Sequence, residues 1–323
     1  GLRDRVFFCA PGEWTLHRCQ GCGSGYLDPR PTPETIGLAY RTYFTHRGAG
    51  QDPIGGLRWQ RRLRRVLANG YRNYRFGTDE RPASSLGVLV AMVFPSKKAV
   101  IEAEGRHLPP PAPGARLLDI GCGNGQFLEF ARRMGSQVVG VEPDPKAVEA
   151  ARARGLDVRL GGVEVLEPQR EQFEGITLSH VIEHVHDPRA VLRACHRLLK
   201  PGGWVWLESP NLDALGHRRY GASWRGLEPP RHLVLFNLES LCQALVSAGF
   251  ANIEVQPYRP LCAAMFAASE AIARGKDPRK ADRISVEGYF AARHAERQAR
   301  RDPAVREFLT VRAYKQNLEN PPA

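Results

Sequence analysis

The chain has 323 residues, with 46 Lys+Arg against 34 Asp+Glu, a formal net charge of +12 and a pI near 9.7. That length exceeds one ordinary domain of about 100–200 residues, so a core domain with appendages is expected. No apolar stretch reaches the roughly 18 residues of a membrane span; the longest, Leu86 to Phe94, is stopped by Pro95. With no charged and apolar leader visible either, a soluble, cytoplasmic protein is expected. Seven cysteines in such a chain favour reduced thiols or metal over a disulfide scaffold.

Four blocks follow in chain order. Residues 1–47 form a small cysteine-bearing lobe in which Cys19-Gln20-Gly21-Cys22 has the spacing of one zinc knuckle. A closed zinc site needs four ligands, so Cys19 and Cys22 require a second pair, supplied either by Cys9 or His17 or by a pair preceding Gly1; the plain reading is two thiols in a loop. Residues 48–114 have helical spacing and an arginine cluster at Arg58, Arg61, Arg62, Arg64 and Arg65, and they end in the breaker run Pro109 to Gly114. Residues 115–258 alternate strand and helix patterns. Residues 259–323, rich in Ala, Arg and Glu, predict a helical tail.

The third block carries the chemistry. The apolar run Leu117-Leu118-Asp119-Ile120 leads into Gly121-Cys122-Gly123-Asn124-Gly125, and a second apolar run ends at Glu142. A buried strand, a glycine-rich turn, a helix and an acidic residue about 20 positions on suit a nucleoside whose ribose diol the acid accepts. Phe127, large and apolar, stands about where the dinucleotide fingerprint packs a glycine, and Asp119 before the turn has the wrong charge for a pyrophosphate but suits an ammonium group. Asp119 through Gly125, read as D-x-G-x-G-x-G, resembles motif I of the class I S-adenosylmethionine-dependent methyltransferases.

The resemblance continues through Val138 to Asp144, Leu160 to Glu164, Ile176 to Val185, and Leu198 to Glu208. It implies an α/β fold, a doubly wound Rossmann-like sheet, with a small N-terminal zinc-ribbon-like lobe and helical additions. Asp119, Gly121, Cys122, Gly123, Asn124, Gly125 and Phe127 would then meet the methionine end of S-adenosylmethionine. Glu142 and Pro143 would hold the ribose, Gly162, Val163 and Glu164 would flank the adenine, and His180 and Glu183 would close the pocket. The segment Arg18 to Leu27 with Pro29-Arg30-Pro31 is similar to the second half of the zinc ribbon that several sugar- and metabolite-modifying members carry, which implies a structural zinc.

His180-Val181-Ile182-Glu183-His184 matches H-x-x-E-H, a zinc pattern when it lies on a helix. Here it leaves a strand, and it resembles the E-x-x-E-H stretch of ubiquinone-pathway O-methyltransferases, which can hold a divalent cation, with His180 in place of the first glutamate. The stretch Ser209 to Phe236 joins polar, aromatic and basic groups. Within it His232 is the candidate general base, since imidazole titrates in the useful range. Tyr220 and Arg231 are candidates for substrate contact. The alternative for His232 is a hydrogen bond to a loop carbonyl that helps Trp224 close the pocket.

These residues predict O-methylation of a small metabolite or saccharide. An anionic acceptor would suit the arginine excess, and no nucleic-acid recognition signature is present. The other readings are methylation of nucleic acid or protein, and a cofactor-binding partner subunit without activity.

Overall fold

The computed structural model of the chain describes residues 1–40, 58–281 and 283–316. The expected lobe boundary at 47/48 and the end of the chain lie outside the described residues.

The N-terminal hairpin pairs β1 (Thr15–Arg18) with β2 (Gly25–Asp28) antiparallel. Its turn is closed by the Cys19 amide on Ser24 O (2.8 Å) and the Gly23 amide on Cys19 O (2.9 Å). Three helices follow, α1 (Arg58–Phe76), α2 (Leu86–Val93) and α3 (Pro95–Glu104). Pro95 both ends α2 and opens α3, because proline lacks the amide a helix interior needs yet fits a first turn.

The glycine-rich region then builds a β-α-β-α-β run of β3 (Arg116–Ile120), α4 (Gln126–Arg133), β4 (Gln137–Glu142), α5 (Pro145–Arg152) and β5 (Asp157–Leu160). The strands pair in parallel, Leu117 opposite Val138 and Val141 opposite Arg159. The unbroken burial of β3 from Leu117 to Ile120 is the mark of a strand covered on both faces. Asp144 starts α5 by accepting the Lys146 amide at 2.9 Å, with Pro145 fixing the first turn.

Next come β6 (Phe173–Ser179), α6 (Pro188–Leu198), β7 (Leu199–Pro210), α7 (Leu215–Tyr220), β8 (Val234–Leu235), α8 (Leu238–Ser247) and β9 (Phe250–Val255). Asp187 caps α6 on the Ala190 amide, and Asn237 with Ser240 forms a reciprocal capping box on α8. The chain closes with α9 (Cys262–Ala273), α10 (Val286–Arg301) and β10 (Phe308–Lys315).

The large sheet has the order β5-β4-β3-β6-β7-β10-β9, and β8 joins the N-terminal hairpin in a second, three-stranded sheet, β1-β2-β8. The first is the expected doubly wound Rossmann-like α/β sheet. The expected helical tail needs correcting: it is helical through Arg301, but its end is a strand inserted antiparallel between β7 and β9. Leu309, Val311 and Ala313 are buried in alternation with half-buried neighbours, a period-two pattern that the Arg- and Ala-rich helix ahead of it obscures in the sequence.

The described residues fall into two compact units. One takes those of Gly1–Phe44, Gln169–Glu171 and Thr177–Ala323; the other takes those of Thr45–Pro168 and Gln172–Ile176. The second unit thus combines α1 to α3 with the β3–β5 run, and Phe76 packs edge-on to Phe130 of α4 at 5.3 Å.

Candidate functional site

In the unit that contains β3, the glycine-rich turn has the backbone its sequence demands. Gly121, Gly123 and Gly125 have φ of +70°, +54° and +79°, the left-handed region where a Cβ is strained. A Cβ on Gly125 would come within 2.3 Å of Leu156 Cδ1, whereas one on Gly123 would meet nothing within 4 Å. Gly125 therefore lets the turn at the start of α4 close against Leu156 and against Ala151 of α5, and Gly123 faces open space.

Glu142, 5 % exposed, accepts the Gly123 amide on one oxygen (2.9 Å) and the Asp144 amide on the other (3.0 Å). Burial raises its pKa, with the two amides working against that shift. Each oxygen keeps a further lone pair, the requirement for accepting both hydroxyls of a ribose. The open cradle at Gly123 and this doubly anchored carboxylate fit an adenosine-type cofactor.

Asp119 is fully buried and ion-paired with Arg106, whose guanidinium also lies 3.6 Å from the Phe127 ring centroid. The carboxylate expected to meet an ammonium group is thus already held by a guanidinium, and Phe127 is the shelf for that guanidinium. Arg106, at φ +49°, has no motif of its own, and sequence reasoning missed it. The Cys122 thiol turns into the apolar cluster with Leu128, Val148 and Leu156 and is pushed far above its usual pKa by burial, so only its backbone can face a ligand. Asn124 Oδ1 accepts the Gln126 amide, Pro143 is exposed, and Glu164 folds back onto the Gly162 amide at 2.7 Å beside buried Val163.

The other unit holds a dense polar cluster. His180 follows β6 with φ +55°, its Nδ1 3.3 Å from Glu183 and its Nε2 3.3 Å from Glu208. Burial alone would lower its pKa, but the two carboxylates win and raise it to about 9, which makes it an imidazolium at neutral pH. Glu208, which also takes Arg259 Nη2 and Thr310 Oγ at 2.9 Å each, is held down at about 2 despite its burial. Glu208, Arg259 and Thr310 come from three distant segments and were not singled out in the sequence.

His184 Nδ1 lies 3.0 Å from Arg231 O and 2.9 Å from Tyr40 Oη, and His232 Nδ1 lies 2.7 Å from Gly226 O. A carbonyl can only accept, so both imidazoles carry hydrogen on Nδ1, which leaves Nε2 as the lone-pair nitrogen of the neutral ring. Their rings are 4.7 Å apart. Burial first, then the neighbouring His184, lowers the His232 pKa to about 4. Glu183, His184 and His232 place ligand atoms within 4.8 Å of one another, and Glu183 Oε2 is buried with no hydrogen-bond partner. One carboxylate and two imidazoles are a donor set for a divalent transition metal. On a helix H-x-x-E-H would add His180 to such a set; here the motif leaves a strand, and His180 is engaged by Glu183 and Glu208. The imidazole grouped with Glu183 and His184 is that of His232, whose one free lone pair could serve a metal or a proton but not both.

Arg231 is not a substrate contact. It is fully buried, with Nη2 on Asp4 Oδ1 (2.8 Å), Nη1 on Ala39 O (2.9 Å), Nε on Glu228 (3.1 Å), and Phe7 stacked against it at 4.2 Å. Tyr220 packs on Phe266 of α9, with its hydroxyl 3.5 Å from Glu270. Trp224 donates to Glu307 at 2.8 Å, and burial pushes that carboxyl up to about 7.

Cys19 and Cys22 sit together in the hairpin turn, where a hydrogen bond with Ser24 Oγ at 2.9 Å leads the causes that lower the Cys22 pKa. Neither Cys9 nor His17 completes a zinc site with them: Cys9 Sγ bonds Ala39 O at 3.2 Å, and His17 stacks on Tyr26. Among the described residues, no third His, Cys, Asp or Glu groups with this pair.

Residues 97–255 match the sequence profile of the family described as "Methyltransferase domain". That match covers just under half of the chain, whose strand order and glycine-rich turn resemble those of a class I S-adenosylmethionine-dependent methyltransferase domain. The chain is 43 % identical over 105 residues to a ubiquinone biosynthesis O-methyltransferase of Xanthomonas oryzae pv. oryzae, and 42 % identical over 106 residues to one of Xanthomonas campestris pv. campestris. These matches cover 30 % and 31 % of this chain and 44 % of each relative, so the chain spans less than half the length of the curated relatives it matches. Similar solved structures include an S-adenosylmethionine-dependent methyltransferase from Archaeoglobus fulgidus (TM-score 0.48, 21 % identity, covering 71 % of this chain and 99 % of that one). Another is Haemonchus contortus phosphoethanolamine N-methyltransferase 2 (TM-score 0.47, 20 % identity, 68 % and 52 %).

Proposed function

We propose that this protein transfers a methyl group from S-adenosylmethionine to a hydroxyl oxygen of a small molecule, a phenol-like metabolite or a saccharide. The observation that carries the reading is Glu142, a buried carboxylate anchored by two amides with lone pairs to spare, beside the open cradle at Gly123. The names of the Xanthomonas relatives, small-molecule O-methyltransferases, support oxygen as the acceptor. When bound, the cofactor supplies an electrophilic sulfonium methyl. The chain's part is to hold the adenosine through Glu142 and the turn amides, and to take a proton from the acceptor.

We assign that proton to His232 Nε2. The bond from Nδ1 to Gly226 O fixes the tautomer that keeps the lone pair on Nε2. The depressed pKa keeps the ring neutral at working pH while weakening it as a base, which favours an acceptor hydroxyl that is itself acidic, as in a phenol. Turnover of S-adenosylmethionine against a panel of phenols, nucleotide sugars and glycans tests the function. His232→Ala is expected to lower turnover by about 10² to 10⁴ with cofactor affinity nearly unchanged. The loss should narrow as pH rises and the acceptor ionises unaided. Full activity in the variant places the base elsewhere, and loss of cofactor binding makes His232 structural.

A further inference from the structure

The α1–α3 region presents a surface that methyl transfer does not explain. Helix α2 is apolar on every side, Leu-Gly-Val-Leu-Val-Ala-Met-Val, and a helix of that kind is normally buried all round. Here only one side is. Gly87 and Ala91 face α1 so closely that a Cβ on Gly87 would stand 1.9 Å from Leu67 O, and one on Gly70 would stand 1.8 Å from Ser84 O. At about 100° per residue, Leu86, Leu89, Met92 and Val93 fall within about 120° of one another on the opposite side. They are 62, 60, 65 and 61 % exposed, and Phe94 beyond them is 50 % exposed. Trp59 and Leu63, also exposed, extend along α1 the i, i+4 stripe that meets α2 at Leu67. Isolated exposed apolar residues need no explanation, but a contiguous set this large does.

The charge around the set says what it meets. Residues 58–98 contain ten Lys and Arg against Asp79 and Glu80, and α1 and α2 contain no acid. Arg61, Arg62, Arg64, Arg65, Lys97 and Lys98 are exposed, and Lys97 Nζ lies 4.8 Å from the Phe94 ring centroid. Large apolar side chains on a convex helix face with a cationic rim match the two layers of an anionic lipid surface: acyl chains at the boundary and phosphates above them. No described helix is long and apolar enough to cross a membrane, so such contact is interfacial. We propose that the outer face of α2, with the cationic flank of α1 and the start of α3, docks on the surface of an anionic bilayer. This docking is independent of the identity of the methyl acceptor.

The test uses the full chain and sedimentation with phosphatidylcholine vesicles, with and without about 30 % phosphatidylglycerol. The expected result is binding to the anionic vesicles at least about tenfold stronger than to the neutral ones, and weakening as salt rises. Leu89→Asp with Met92→Asp should abolish it, and Gln at Arg61, Arg62, Arg64 and Arg65 should remove the preference for anionic lipid. Thermal unfolding of each variant checks the fold; should the aspartate pair destabilise it, Leu89→Ser with Met92→Ser gives the same comparison. The proposal is overturned by no vesicle binding at low salt, or by equal binding of the folded double variant. It is also overturned by a monomer–dimer equilibrium that the same variant abolishes in a chain that ignores vesicles, since the face then meets a second copy.

Discussion

The turn from Asp119 to Gly125 and the cluster around His232 are built in opposite ways. The turn takes its shape from consecutive residues, with Gly121, Gly123 and Gly125 in left-handed conformations and one acid, Glu142, reached through a single β-α-β step. The cluster gathers Asp4, Ala39, Tyr40, Glu183, His184, Glu228, Arg231 and His232, with Asp4 and Arg231 bonded across 227 positions. A local device is written in spacing. A gathered one is held only by the burial and pairing of its members, so its chemistry and its stability rest on the same residues.

Legibility followed that division. The parallel strands, the turn and Glu142 were readable because each is a period or a spacing. The role of Arg231 was not: an arginine beside a proline pair in a polar, aromatic stretch reads as a substrate contact, and only the fold shows Asp4 and Glu228 closing on it at zero exposure. Arg106 was invisible for a related reason, since its partner Asp119 was assigned to the ligand. β10 was lost because a strong helical pattern precedes it. The N-terminal lobe was legible only as a cysteine-bearing segment with the spacing of one zinc knuckle; its hairpin, continued by β8, joins the lobe to the segment that carries His232. That is a packing fact no motif encodes.

The sharpest way to break the comparison is to remove a buried charge from the gathered side. Arg231→Ala leaves Asp4 buried without its cationic partner and Glu228 with Arg225 alone, and is expected to cost about 3–5 kcal/mol in chemical denaturation. Asp4, whose pKa the Arg231 hydrogen bond and charge hold well below the carboxylate range against its burial, should make Asp4→Ala nearly as damaging. Replacing the pair together by Met and Leu should recover much of the loss. If Arg231→Ala costs less than about 1 kcal/mol, the cluster is not what holds this region.

A smaller effect is expected on the local side. Glu142→Ala should weaken binding of the cofactor by about 1.5–3 kcal/mol, the range for hydrogen bonds to a charged group. Calorimetric titration reads it directly. Affinity equal to that of the parent would remove Glu142 from the site, and preferential binding of NAD would overturn the methyltransferase reading itself.

The smallest effect separates charge from geometry within the cluster. The pKa of His180 is raised to about 9 in the folded chain, because the pull of Glu183 and Glu208 exceeds the burial that opposes it, against an ordinary value of 6.5. The folded state therefore binds a proton that the unfolded chain gives up between those values. Its contribution to stability is complete below pH 6.5, declines as pH rises, and is gone above about 9. The side chain is 37 % exposed, so solvent screening reduces the expected effect to about 1 kcal/mol. Denaturation midpoints measured from pH 6 to pH 10 should fall along this limb in the parent and run flatter in His180→Gln, which keeps a hydrogen-bonding group but has no proton to lose. Parallel curves for the two proteins would mean that His180 is neutral and that the left-handed backbone at this position, not the imidazolium, is what the site requires.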